Sequence, residues 1–191
     1  KIVTLGIHPT RPETGYGYLA LSKATHHEVV SVEEFIEKPD LPAAQSMIKA
    51  GTYLWNAGIF FFKASDIISA FKKFAPENLK LTKDAFKTAK IDLGFLRLNP
   101  KPWNKLDNIS IDFAIMEKAK NLVAIPFKSK WSDLGDWNSL WTEAKKDESG
   151  TVLSEDAHAF DCSNSLLRTE NDGQQIVGLG LNNLFITSFL L

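Results

Sequence analysis

The chain has 191 residues, 44% of them hydrophobic, enough for one good core or one core plus a small module, which excludes wholesale disorder. Twenty-two Lys and Arg against 23 Asp and Glu leave a net charge of −1 with the signs mixed, so neither a basic stripe for nucleic acid nor an acidic tail is present. One cysteine, Cys162, excludes an internal disulfide framework and a cysteine-based zinc site and fits a reducing, cytoplasmic setting; the longest apolar run, around residues 59–62, is far too short to span a bilayer.

Residues 1–7 read as an apolar strand already under way at the first residue, as in a piece of something longer. Residues 9–15 form a breaker-rich loop. Strands are predicted over 16–21 and 29–36, the second with inward positions at Val30, Val32 and Phe35 that only partly alternate. Residues 42–50 read as a helix with Gly51 as its C-cap, and 53–62 as a buried strand interrupted by Asn56 and Gly58. Ser65 is expected to cap a helix to Phe74 that Pro76 ends. A lysine-rich helix follows over 79–90, then a poorly periodic stretch over 92–108. Ser110 is expected to cap a helix through Lys118, and residues 121–126 form a strand. The segment Trp131-Ser-Asp-Leu-Gly-Asp-Trp137 then opens an amphipathic helix running to about Lys146.

Alternating strands and helices argue an α/β domain with helices on a mixed sheet over 1–148. From 149 to 191 the texture changes to short β-prone pieces between Asn, Asp, Gly and Ser, which reads as a small all-β module of the β-solenoid kind.

Four places can carry chemistry. Asp133, between Trp131 and a Gly-Asp-Trp turn, either holds a hard cation such as Mg²⁺, which takes oxygen ligands and only one or two from protein, or caps the helix. Glu37-Lys38-Pro39 ends a strand, where open α/β sheets present ligand groups. There Lys38 suits a phosphate and Glu37 suits hydroxyls, or the pair is a solvated rim. Asn56 inside an apolar strand is costly unless its amide is satisfied, by a polyol stacked near Trp55 or by a β-bulge. The loop over 10–17, with Tyr16 and Gly17 at its end, can wrap a ligand with backbone groups. Asp112, in the first turn of its helix, is explained by the helix dipole. His8, His26, His27 and His158 show no metal spacing, and no nucleophile elbow is present, so the chemistry must rest on positioned charge.

Five segments, Thr10-Arg-Pro-Glu-Thr-Gly-Tyr-Gly-Tyr18, Phe35-Ile-Glu-Lys-Pro-Asp40, Tyr53-Leu-Trp-Asn-Ala-Gly-Ile-Phe60, Ser110-Ile-Asp-Phe-Ala-Ile-Met-Glu117 and Trp131-Ser-Asp-Leu-Gly-Asp-Trp137, stand in an order that resembles the bacterial mannose-1-phosphate guanylyltransferases. The resemblance implies a nucleotidyltransferase domain, Rossmann-like, making GDP-mannose and pyrophosphate from GTP and mannose 1-phosphate. It implies Asp133 as the Mg²⁺ carboxylate and Lys38 as the lysine on the sugar's phosphate. Glu37 and Asn56 would meet mannose hydroxyls, with Tyr16, Gly17, Trp55 and Asp112 lining the same substrate. Lys38 and Asp133 are the expected catalytic pair.

The Gly-rich loop, guanine pocket and second metal carboxylate of that family have no counterpart in these residues, so the chain is expected to be the sugar-binding part and inactive alone. The alternatives are a bifunctional parent with mannose-6-phosphate isomerase activity, a sister nucleotidyltransferase for another base or sugar, and a non-catalytic binding or assembly module. A homo-oligomer is expected, with the β tail packing between subunits.

Overall fold

The computed structural model describes residues 1–23, 29–171 and 173–189, so the expectation for His26 and His27 lies outside the described residues. Two compact units make up the chain, Lys1–Lys130 and Trp131–Leu191.

The first unit is built on a closed, mixed sheet of five strands: β1 (Ile2–Ile7), β2 (Tyr18–Leu21), β3 (Val30–Ile36), β4 (Tyr53–Phe61) and β7 (Leu122–Phe127). The ring runs β1-β4-β2-β3-β7, and only β1 with β7 is a parallel pair. The mixed sheet agrees with the expectation. Within it four of the five pairings are antiparallel.

The broken alternation of β3 has a local cause. Ala20 pairs with Glu34 and Leu21 with Val32, so Glu33 is an extra residue, a β-bulge that lets both Val32 and Phe35 point inward. The sheet encloses Ile2, Leu19, Leu21, Val30, Val32, Phe35, Leu54, Leu122 and Ala124, and Ile115 and Met116 pack into the same core. Fully burying a Leu or Ile is worth about 1.5–3 kcal/mol, so this cluster is the main stabilising term of the unit.

The helices follow their caps. In α1 (Leu41–Ala50), the Asp40 carboxylate accepts from the Ala43 N–H at 2.9 Å. Gly51 closes that helix in the left-handed region at φ 70°, its N–H on the Ile48 carbonyl. Helix α2 (Ala64–Phe74) starts after Lys63 without a side-chain cap, so the cap expected of Ser65 is not made; Ser65 sits inside the first turn. Pro76 does not merely stop α2. It opens α3 (Pro76–Lys87) at the first helical position, where its missing N–H costs nothing.

The stretch expected to be irregular holds a hairpin, β5 (Lys90–Asp92) and β6 (Phe95–Arg97), turned by Leu93 and Gly94 at φ 48° and 82°, and a short α4 (Pro100–Trp103) capped by Asn99. Two consecutive positive φ values suit a two-residue hairpin turn. The helix expected from Ser110 is a five-residue π-turn, Asp112–Met116.

The second unit begins with the Trp-rich loop and α5 (Trp137–Glu143), which ends earlier than expected. Five short strands follow: β8 (Val152–Leu153), β9 (Ala157–Phe160), β10 (Leu166–Thr169), β11 (Ile176–Leu179) and β12 (Phe185–Ser188). All their pairings are parallel, β8-β10-β12 in one sheet and β9-β11 in another. Leu166, Leu167, Ala157 and Cys162 are buried here, and the Trp141 indole N–H donates to the Gly150 carbonyl at 2.9 Å. Among the described residues no helix is long and apolar enough to cross a membrane.

Candidate functional site

Residues from four segments of the first unit meet where β2 begins and β3 ends. The Asn56 backbone N–H donates to the Gly17 carbonyl at 2.7 Å, tying the start of β2 to β4. Glu37, just past β3, lays its carboxylate against Gly17. A Cβ there would lie 2.7 Å from Glu37 Oε2 and 3.2 Å from the Phe35 ring, so this approach requires glycine.

The Glu37 side chain is only 8% exposed, and its Oε1 accepts from Lys38 Nζ at 2.8 Å. The Lys38 side chain is 60% exposed, and its backbone holds a left-handed φ of 49°. The hydrogen bond to Glu37 raises the Lys38 ammonium above its ordinary range, helped by that carboxylate's charge and more weakly by Asp112. Burial, then the charge of Glu37, pushes the Asp112 carboxyl up. Asp112 is therefore a neighbour of this pair and more than a complement to a helix dipole. Exposed ion pairs are worth about 0–1 kcal/mol, so Lys38 is held loosely and can turn to an incoming anion, whereas Glu37 is fixed.

Asn56 is 8% exposed, and its side-chain carbonyl accepts from the fully buried Thr4 hydroxyl at 2.8 Å. Thr4 pairs with Phe60 while Gly6 pairs with Asn56, so β4 carries two extra residues between them and Gly58 turns through φ 70°. The bulge reading of Asn56 describes its backbone; the amide nitrogen remains as a donor. Trp55 is 3% exposed, with the Tyr16 ring edge-on at 5.2 Å and the Arg11 guanidinium 5.5 Å from its centroid. The open stacking face expected of Trp55 is thus covered. Its indole N–H is buried without an acceptor.

Asp133 belongs to the second unit, in an exposed loop where Leu134 takes φ 50°. The helix cap is Asp136, whose carboxylate accepts from the Ser139 N–H at 2.6 Å, so capping does not explain Asp133. The Asp133 carboxylate bends over Gly135, where a Cβ would fall 2.5 Å from Oδ2. Among the described residues no group of three His, Cys, Asp or Glu could hold a metal. One exposed carboxylate still fits Mg²⁺, which keeps waters and shares substrate oxygens.

Sequence reasoning missed three participants. Thr4 is an unremarked residue of an apolar strand and Arg11 one cation in a loop. Glu117, whose Oε1 accepts from the Glu37 backbone N–H at 3.1 Å, is placed by a π-turn that a 3.6-residue periodicity cannot reveal. A concavity of about 640 Å³ lined by Ile91, Arg97 and Lys101 contains none of the site residues.

A model of the nucleotidyl transferase family matches residues 1–150. Over 97% of its length the chain is 38% identical to a mannose-1-phosphate guanylyltransferase of Salmonella typhimurium, covering 38% of that protein. It is 37% identical, again over 97% of its length, to the xanthan biosynthesis protein XanB of Xanthomonas campestris, covering 39% of it. It spans roughly two-fifths of the curated relatives it matches. A crystal structure described as mannose-1-phosphate geranyltransferase from Thermus thermophilus superposes with a TM-score of 0.75 and 28% identity, over 99% of this chain and 53% of that one. A mannose-6-phosphate isomerase from Helicobacter pylori matches 69% of this chain and 51% of its own, with a TM-score of 0.61 and 32% identity. The family model covers most of the sequence, from the first strand through α5, and the chain belongs to the nucleotidyl transferase family.

Proposed function

We propose that the chain is the sugar-phosphate-binding part of an enzyme that forms GDP-mannose and pyrophosphate from GTP and mannose 1-phosphate. The observation that carries this reading is the Gly17–Glu37–Lys38 arrangement, a fixed buried carboxylate beside a mobile ammonium, with Asn56 bonded to the same backbone. The names of the relatives supply the sugar and the base.

In the reaction a sugar-phosphate oxygen attacks the α-phosphorus of GTP. The bond to the β-phosphate bridging oxygen breaks, and pyrophosphate leaves with those electrons. Such transfers depend on positioning and charge neutralisation more than on a covalent nucleophile. Lys38 neutralises the sugar's phosphate. Glu37 and the Asn56 amide take mannose hydroxyls, Gly17 allows the sugar edge near the backbone, and Tyr16 and Trp55 wall the site. Asp112 adds a carboxylate that acts electrostatically on the pair. Asp133 would hold Mg²⁺, which supplies charge neutralisation at the phosphates when bound.

No Gly-rich nucleotide loop occurs in these residues, so the 191-residue chain alone is expected to make no GDP-mannose; measurable synthesis by it would contradict this. The parallel ladders of the second unit support a β-solenoid, with β8, β10 and β12 stacked in successive coils, and we assign it to subunit packing in a homo-oligomer. Truncation at Gly150 that leaves the oligomer unchanged would remove that assignment. The setting we assign is cytoplasmic.

The test of the sugar is a thermal-shift series with mannose 1-phosphate against glucose 1-phosphate. A larger shift with mannose 1-phosphate, lost in Lys38→Ala, is expected; equal shifts would count against mannose. A second reading, a bifunctional parent that also isomerises mannose 6-phosphate, is favoured by the likeness to the Helicobacter pylori isomerase. An isomerase assay on the complete protein decides it.

A further inference from the structure

We propose that Glu117 is the positioning residue of the sugar-phosphate site, and that the π-turn over Asp112–Met116 exists to deliver it. The proposal rests on the assignment of Glu37 and Lys38 to that site.

The π-turn is anchored from inside. Ala114, Ile115 and Met116 are buried in the core, so the turn cannot rotate without emptying that space. The Glu117 N–H donates to the Asp112 carbonyl at 3.0 Å, the i to i+5 bond of a π-turn. In an α-helix residues five apart lie about 140° apart around the axis. The wider turn brings them to nearly one face, a device found often at functional sites. Here the turn places Glu117 against the segment that carries Glu37 and Lys38. Asp112 acts electrostatically with Glu37 and Lys38, and Glu117 Oε1 takes the Glu37 backbone N–H at 3.1 Å across 80 residues of sequence.

That bond falls where the backbone needs support. Lys38 adopts a left-handed φ of 49°, a conformation a lysine seldom takes. Pro39 follows, and a proline favours extended backbone in the residue before it, so the left-handed step runs against the local preference. With the Glu37 N–H fixed, the left-handed step turns Lys38 so that its Nζ meets Glu37 Oε1, while Glu37 stays pressed on Gly17. Glu117 acts through Glu37 and Lys38, and its contribution is to their geometry.

Two measurements on the 191-residue chain test this: amide hydrogen exchange at Glu37, and calorimetric binding of mannose 1-phosphate. Glu117→Ala is expected to speed exchange of the Glu37 amide at least tenfold and to weaken binding about tenfold, as loss of a hydrogen bond to a charged group implies. Glu117→Gln keeps the acceptor oxygen and should hold both values within about threefold of the unsubstituted protein. If the alanine variant does not fold, Glu117→Asp, one methylene shorter, carries the same expectation. Unchanged protection of the Glu37 amide in Glu117→Ala or Glu117→Asp would overturn the proposal, whatever binding does. Faster exchange with binding unchanged in Glu117→Ala would overturn it as well, since the bond would then be structural only; should the unsubstituted chain bind no mannose 1-phosphate, it is the sugar assignment that fails, while the exchange result still shows whether Glu117 holds the Glu37 backbone.

Discussion

The two units hold their chemistry in opposite ways. In the first, contacts bridge great distances in sequence: Glu117 to Glu37 across 80 residues and Thr4 to Asn56 across 52, around a core sealed by a closed sheet. In the second, Asp133 is exposed, its carboxylate over the bare Cα of Gly135, just before a helix that Asp136 caps. The Glu37–Lys38 cluster rests on buried residues of the core sheet, whereas Asp133 stands exposed on a loop. Substitutions at the two should therefore divide between stability and turnover.

The largest separation is expected at Asp133. In the complete enzyme Asp133→Asn should lower turnover by about 100-fold or more, the scale of losing one electrostatic stabiliser, with no change in Tm. Near-normal turnover would remove the metal role. Gly17→Ala should do the reverse of a local effect, forcing the Glu37 carboxylate off its seat and weakening mannose 1-phosphate by about tenfold or more in titration calorimetry, because the added Cβ meets Oε2 at 2.7 Å. Next in size, Thr4→Val should cost about 1–3 kcal/mol in denaturant unfolding, since it leaves the buried Asn56 carbonyl without its donor. A cost near zero would mean that Asn56 is not held through Thr4.

The smallest expected effect is one of pH. Burial and Glu37 raise the Asp112 carboxyl above its unfolded value of 3.8, so the folded state holds this proton more tightly. Its favourable contribution is complete below 3.8 and is lost as pH rises through the raised folded value. Asp112→Asn should therefore stabilise the first unit near neutral pH, by less than about 1 kcal/mol after solvent screening, and the gain should vanish in acid. A variant destabilised at pH 7 would show instead that the Asp112 charge is needed where it stands.

Much of the fold was legible because it is written in local chemistry. The Gly51 cap, the apolar strand runs and the change of texture after Gly150 all follow from neighbouring residues. Even the imperfect alternation of Val30, Val32 and Phe35 recorded something real, the bulge at Glu33. What escaped depends on tertiary closure. Nothing near Ser110 announces a π-turn, since burial of Ile115 and Met116 sets it. Pro76 reads as a stop and proves to be a start, because either role suits a proline with no N–H to satisfy. The hairpin at 90–97 hides in a stretch without period, turned by a leucine where a β-rich sequence ordinarily shows Asn or Gly. At the site, Glu37, Lys38, Gly17 and Asn56 could be singled out by type and position. The covering of Trp55 by Tyr16 and Arg11 could not, because it depends on how the loop over 10–17 folds back.

The central claim is that the Gly17–Glu37–Lys38–Asn56 cluster receives mannose 1-phosphate. Its most direct test is a nitrogen-edited NMR titration of the labelled 191-residue chain with that ligand. Saturable shifts are expected at the amides of Gly17, Glu37, Lys38 and Asn56, strongest at the Asn56 side chain and Lys38, and reduced by Lys38→Ala. Saturable shifts confined to other residues, with these four unmoved, would contradict it.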